Sequence, residues 1–241
     1  MARPVRILYP GALYHVTSRG NRRAAIYLDE RDHLVWLDFL ADTVVRHGLV
    51  VHAFVQMPNH YHLLAATPAA NLSDSIYHLN SQYAQAFNKR HQLSGHVFQG
   101  RFYAEHIEDQ SHLLALSRYI ALNPVRAGLV VRAEDWRWGS FAILRGALIR
   151  PGCVDDSWLL GQFSGGDRHA QVASFCAFVE EGAAVGKPPL TRAEQRASRQ
   201  AGMADAIRAA YRAEGCTTRE LADRFGVSMR TVQRLLRELS G

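Results

Sequence analysis

Apolar and polar positions alternate along the first 130 residues in two rhythms, one of period two and one of helical period. "YHVTSRGNRR" (14–23) opens as a short strand with β-branched Val16 and Thr17, then breaks at a Gly-Asn turn. "DERDHLVWLDFLADTVVRHG" (29–48) has acids in its first turn and Leu34, Leu37, Leu40 and Val44 at helical spacing, and Gly48 predicts its end. "LVVHAFVQM" (49–57) and "HYHLLAA" (60–66) predict two strands of a β-hairpin around a Pro-Asn turn. A second helix is predicted over 71–92, capped by Asn71 or Ser73. A strand with a glycine interruption follows over 97–107, and a third helix over 109–128, limited or kinked by Pro124 and closed near Gly128. The order β-α-β-β-α-β followed by a helix predicts an α+β fold. Its plan is ferredoxin-like: an antiparallel sheet with helices on one face and the other face open.

The pattern weakens after residue 128. "DSWLLGQF" and "QVASFCAFVEEG" predict helices that brace the core, and "GKPPLTRAEQR" has the composition of a linker. Three segments are therefore expected: 1–145 as the main domain, 146–186 as helical bracing, and 187–241 as a linker and small module. In that module Thr217 and Glu220 form a capping box. Leu221, Ala222 and Phe225 make an apolar face, and Gly226 supplies a turn. A second short helix is predicted from Ser228, with Val232, Leu235, Leu236 and Leu239 facing inward. Two such helices match a helix-turn-helix. Arg230, Thr231, Gln233 and Arg234 fall on its exposed side as candidate DNA contacts.

Charge sharpens this division. The chain of 241 residues carries a net charge of +6. Residues 187–241 hold 11 lysines and arginines against 6 acids, and the remainder hold 17 against 16. Nearly all the excess sits with the helix-turn-helix pattern, which favours DNA, duplex included, over a protein contact as its partner. Cys153, Cys176 and Cys216 form no C-x-x-C pair, so neither a zinc knuckle nor a disulfide framework is indicated. No signal peptide or membrane-spanning run is evident, and a cytoplasmic protein is expected. "GAAVGKP" is one spacer residue short of a phosphate-binding loop and ends in proline, so nucleotide chemistry is not indicated.

Candidate chemistry centres on "MPNHYHLL" (57–64). Side chains alternate across a strand, so His60 and His62 share a face and can hold one divalent ion. Packed histidines would read the same in isolation. "SRYIALNP" (117–124) adds Tyr119 and Asn123, four residues apart and so on one helix face. Tyrosine can be a nucleophile or a core aromatic, and asparagine an oxygen ligand or a helix-ending residue. Arg19, Arg22 and Arg23 cluster in the turn after the first strand. Arg101, Phe102 and Tyr103 interleave charge with aromatics, as single-strand binders do. His15, His52 and His106 read as structural.

These motifs, "YHVTSRGNRR", "MPNHYHLL", "GHVFQGRFYAEHIED" (95–109) and "LSRYIALNPVRAGLV" (116–130), with a looser "DWRWGSF" (135–141), resemble the HUH single-tyrosine transposases, most closely the REP-associated tyrosine transposases of bacteria. The resemblance implies that His60 and His62 bind Mg²⁺ or Mn²⁺, that Asn123 completes the shell where relatives often place glutamine, and that Tyr119 attacks single-stranded DNA. The product would be a 5′-phosphotyrosine link. The resemblance also implies that the arginine turn and residues 101–103 contact a DNA hairpin and its guide sequence. A monomer or homodimer acting away from membranes is expected. Two other readings stand beside it. A hairpin-DNA-binding regulator that does not cut would use the same fold, but would not need the full set His60, His62, Tyr119 and Asn123. A small-molecule metallohydrolase would need a general-base carboxylate near the histidines and would leave the basic tail unexplained.

Overall fold

The computed structural model describes residues 8–107, 110–146, 153–184 and 217–225, with 211, 229, 232, 233 and 236. The chain divides into two compact units, Met1–Pro188 and Pro189–Gly241.

In the first unit, β1 (Ala12–Arg19), β2 (Val50–Met57), β3 (His60–Thr67) and β4 (Tyr103–Ile107) form one antiparallel sheet of order β2-β3-β1-β4. Between them run α1 (Glu30–His47) and α2 (Leu72–His91). This is the ferredoxin-like order. Asp29 caps α1 by accepting the Asp32 amide at 3.1 Å, and Gly48 ends it in the left-handed conformation (φ 66°) that glycine adopts without strain. The buried stripe of α1 runs through His33, Trp36, Leu37, Leu40 and Thr43. Leu34 is exposed instead: the Trp36 ring takes the core position, 4.8 Å from that of Tyr61 and 5.9 Å from that of Phe54. Tyr61, Leu63 and Ala65 of β3 join this core beneath α1 and α2, with Ile76, Leu79 and Tyr83. At the far ends of the two helices Arg90 bridges Asp29 and Asp32, and His91 meets the Asp32 carboxylate at 2.9 Å.

The predicted strand over 97–107 shortens to Tyr103–Ile107. Residues 97–102 form a loop, held to the turn after β1 by Asn21 N–H to Val97 O (2.8 Å) and Gln99 N–H to Arg19 O (2.8 Å). Gly100, at φ 65°, breaks the strand geometry.

The opposite sheet face is not open. A third helix, α3 (Gln110–Arg126), crosses it and includes Pro124 in its last turn. Leu113, Leu116 and Ile120 pack there against Ala53, Val55, Met57, Leu64 and Ile107. Two short helices, α4 (Ser140–Leu144) and α5 (Ser157–Leu160), precede the longer α6 (Arg168–Ala184). Their Phe141, Leu159, Leu160, Phe175 and Val179 pack on Ala121 and Leu122 of α3. So the bracing helices position α3, and α3 roofs the histidine face.

The free edge of β2 is closed by residues 136–140. Gln56 N–H donates to Trp138 O (2.8 Å), and the Trp136 indole N–H donates to Gln56 O (2.9 Å). The Ser140 hydroxyl both accepts from Phe54 N–H (3.0 Å) and donates to Phe54 O (3.2 Å). An unpaired edge is a template for unwanted strand pairing, and this segment removes it.

In the second unit, α7 (Thr218–Phe225) begins at the expected capping box. Thr217 N–H donates to Glu220 Oε2 (2.8 Å) and Glu220 N–H to Thr217 Oγ1 (3.3 Å). Leu221, Ala222 and Val232 are buried, while Met229 and Gln233 are exposed. Arg230, Thr231 and Arg234 lie outside the described residues, as does the turn at 226–228. Among the described residues no helix is long and apolar enough to cross a membrane.

Candidate active site

The β2–β3 hairpin and α3 bring the principal residues together. His60 begins β3, opposite Met57 on one side and Arg19 on the other, and His62 stands opposite Val55 and Thr17. Both point to the α3 face, as alternation requires. Their ring centroids are 5.0 Å apart and nearly perpendicular. The Tyr119 ring lies 5.4 Å from that of His62, edge-on at 81°. Asn123, one helical turn on, is buried.

Each imidazole is anchored through Nδ1. That of His60 meets Asn59 Oδ1 at 2.7 Å, and Asn59 is itself fixed by its amide donating to Arg23 O at 3.0 Å. That of His62 meets His15 Nε2 at 2.9 Å and Thr17 Oγ1 at 3.1 Å. In both rings Nε2 is the nitrogen not engaged in these bonds. Burial, with Arg19 nearby, pushes the His60 pKa down to about 4. Burial, reinforced by His15, His60 and Arg19, holds His62 well below its ordinary value. Both rings are therefore neutral near pH 7, which is the form that ligates a metal. Among the described residues no three His, Cys, Asp or Glu side chains converge as a metal cage. An ion held by His60 and His62 would complete its shell with oxygen donors such as water or phosphate. That open, neutral donor set fits a catalytic ion that must admit an anion.

Two further groups flank the tyrosine. His15 is 6.3 Å from its ring, and the Arg126 guanidinium stands 5.6 Å from its ring centroid. Sequence reasoning passed over Asn59, Thr17 and Arg126 and classed His15 as structural. Only the packing of β1 beside β3 reveals His15. For Asn59 the signal was its place directly before the histidine pair.

The arginine turn abuts the hairpin. Gly20 N–H donates to Asn59 O (2.8 Å) and Ile26 N–H to Pro58 O (2.9 Å). Gly20 has an ordinary φ of −59°, so space alone demands glycine: a Cβ there would lie 2.1 Å from Ala24 O. Arg22 and Arg23 take left-handed φ values of 54° and 61° and, with Arg19, are exposed. Arg101 is exposed and Tyr103 is 41% exposed, whereas Phe102 is only 8% exposed and packs into the core, at the wall of a cavity between α2 and the 95–102 loop.

Residues 9–123 match the family described as transposase, IS200-like. The match covers just under half of the chain. It contains His15, His60, His62, Tyr119 and Asn123. The chain is also similar to a Haemophilus influenzae protein that carries the name REP-associated tyrosine transposase. The two are 34% identical over 97 residues, which cover 35% of this chain and 54% of that one. The chain thus spans about half the length of that relative. Among solved structures, a REP-associated tyrosine transposase bound to a REP hairpin superposes with a TM-score of 0.54 at 20% identity, covering 64% of this chain and 92% of that one. At that identity the likeness supports the fold.

Proposed function

We propose that the protein cleaves and rejoins single-stranded DNA carrying a hairpin, using Tyr119 as nucleophile and a divalent ion, Mg²⁺ or Mn²⁺, held by His60, His62 and Asn123. The observation that carries this reading is the convergence of two neutral, Nδ1-anchored imidazoles, 5.0 Å apart, with a tyrosine ring 5.4 Å from that of His62. The family of residues 9–123 and the hairpin DNA bound by the structural relative support the substrate class.

The chemistry follows from the groups present. The phenol oxygen of Tyr119 forms a bond to phosphorus, and the bond from phosphorus to the 3′ oxygen breaks. The phenol proton passes to solvent, and the released 3′ oxygen takes a proton in turn. Tyrosine suits this role because its pKa, about 10 in model peptides, is far below that of an aliphatic alcohol. The ion, when bound, supplies charge neutralisation for the phosphate under attack. Arg126 and Arg19 add positive charge at the tyrosine and at His60. The covalent link conserves the phosphodiester energy, so a 3′ hydroxyl can later attack the phosphotyrosine and reseal the strand without ATP. Arg19, Arg22, Arg23, Arg101 and Tyr103 offer phosphate contacts and one exposed ring for positioning the strand.

Incubation with end-labelled single-stranded hairpins tests this. Wild-type protein with Mn²⁺ should give a covalent adduct, and Tyr119→Phe should give none while still binding the DNA. His60→Ala, His62→Ala and EDTA should each abolish cleavage. Asn123→Ala should be milder, because water can replace an amide ligand. Hairpin binding without any adduct from wild type would instead favour a non-cleaving regulator.

A further inference from the structure

Resting on the proposed metal role of His60 and His62, we infer that His15 is a positioning residue that fixes the tautomer of His62 and so aims its Nε2 lone pair at the ion. Two arrangements satisfy the 2.9 Å contact between His15 Nε2 and His62 Nδ1. In one, His62 Nδ1–H donates to His15, and His62 Nε2 is left with a lone pair. In the other, His15 Nε2–H donates to His62, the His62 proton moves to Nε2, and that nitrogen cannot ligate. Thr17 Oγ1, at 3.1 Å, accepts or donates equally well and does not choose between them.

The sheet supplies the bias. Glu105 is buried and stands opposite His15 in the β1–β4 register, on the side of His15 away from His62. Glu105 Oε2 and His15 Nδ1 are both buried but make no hydrogen bond to each other, so the bias is electrostatic: negative charge beside the ring favours a proton on His15 Nδ1, which leaves His15 Nε2 as the acceptor facing His62. The three side chains thus run across β4, β1 and β3 toward the Tyr119 ring. The stack of His15 on His62, at 5.0 Å and 22°, also restrains the ring plane. Partners behind a metal-bound histidine commonly set its tautomer, and their loss weakens metal binding by about 10–100-fold.

Long-range ¹H–¹⁵N correlation spectra of the metal-free, full-length protein test this directly. His62 should carry its proton on Nδ1, and Glu105→Gln should increase the Nε2–H form. Mn²⁺ titration by calorimetry should show His15→Phe binding about 10–100-fold more weakly. His15→Gln, whose amide oxygen can accept from Nδ1–H, should recover most of the loss. Melting curves identify any variant that fails to fold, and the wild-type spectrum stands without variants. A wild-type His62 protonated on Nε2, or a folded His15→Phe that binds Mn²⁺ as wild type does, would overturn the assignment. Failure of wild type to bind Mn²⁺ would overturn the metal reading itself, whereas loss of DNA cleavage with metal binding intact would not touch His15.

Discussion

At the scale of single residues, the histidines give the molecule a definite response to acid. His33 is sandwiched between Tyr27 and Trp138, each ring 4.2 Å away, and its Nδ1 meets Gln56 Oε1 at 2.8 Å. Burial, only partly offset by Gln56, lowers its pKa from 6.5 to about 4. The unfolded chain takes up a proton near pH 6.5 that the folded chain refuses until about 4. The stability His33 contributes is therefore complete above 6.5, declines as pH falls, and is gone below about 4. His52, His60 and His62 shift in the same direction and add to the slope. Each such group contributes up to about 1.4 kcal/mol per pH unit within its window. Urea midpoints measured from pH 7 to 4 should fall steadily, and His33→Gln should flatten part of the decline. A midpoint independent of pH would show that the unfolded chain gains no protons over the folded one.

At the scale of elements, the closure of β2 is the most testable contact. The Ser140 hydroxyl takes the place of a neighbouring strand for Phe54, and Gly139 lets it come close, since a Cβ there would stand 3.3 Å from Phe54 O. Ser140→Ala should leave the buried Phe54 N–H without that acceptor and cost about 1–3 kcal/mol, read from chemical denaturation. A change within error would mean that water replaces the hydroxyl. Nothing in "DWRWGSF" announced this edge role, because it depends on a partner some eighty residues earlier. The same division of legibility runs through the fold. The β-α-β-β-α-β order, the glycine that ends α1 and the shared face of His60 and His62 were readable, since each rests on spacing within about twenty residues. The stripe of α1 was misplaced because spacing alone gave Leu34 the position that Trp36 takes. The strand over 97–107 was overextended because Val97 and Phe98 look like strand residues but serve the loop against Gly20. The roofing of the histidine face by α3, and with it the roles of His15 and Arg126, needed tertiary packing to be seen.

At the scale of the whole molecule, the candidate catalytic residues all lie in the unit Met1–Pro188, while the +5 excess lies in residues 187–241. Chemistry and DNA affinity should therefore separate. Removing residues 189–241 should leave metal-dependent cleavage of a concentrated single-stranded hairpin largely intact, yet weaken binding and flatten its salt dependence. Every phosphate that the tail neutralises adds roughly 0.7–0.9 to the steepness of log K against log salt, so a tail that engages about three phosphates would be plain in a titration. Equal slopes for full-length and shortened proteins on duplex and hairpin DNA would assign the tail to another task. The arginine turn divides its work differently. Its main chain steadies the site, through Gly20 N–H on Asn59 O and Arg23 O on the Asn59 amide, while the side chains of Arg22 and Arg23 reach into solvent. At position 23 the main chain, and not the side chain, supports the candidate site. Replacing Arg22 or Arg23 with asparagine, which accepts a left-handed φ more readily, should change which DNA is bound and leave Mn²⁺ affinity as it was. Lineages of a protein built this way can then diverge in what they bind while inheriting an unaltered candidate site.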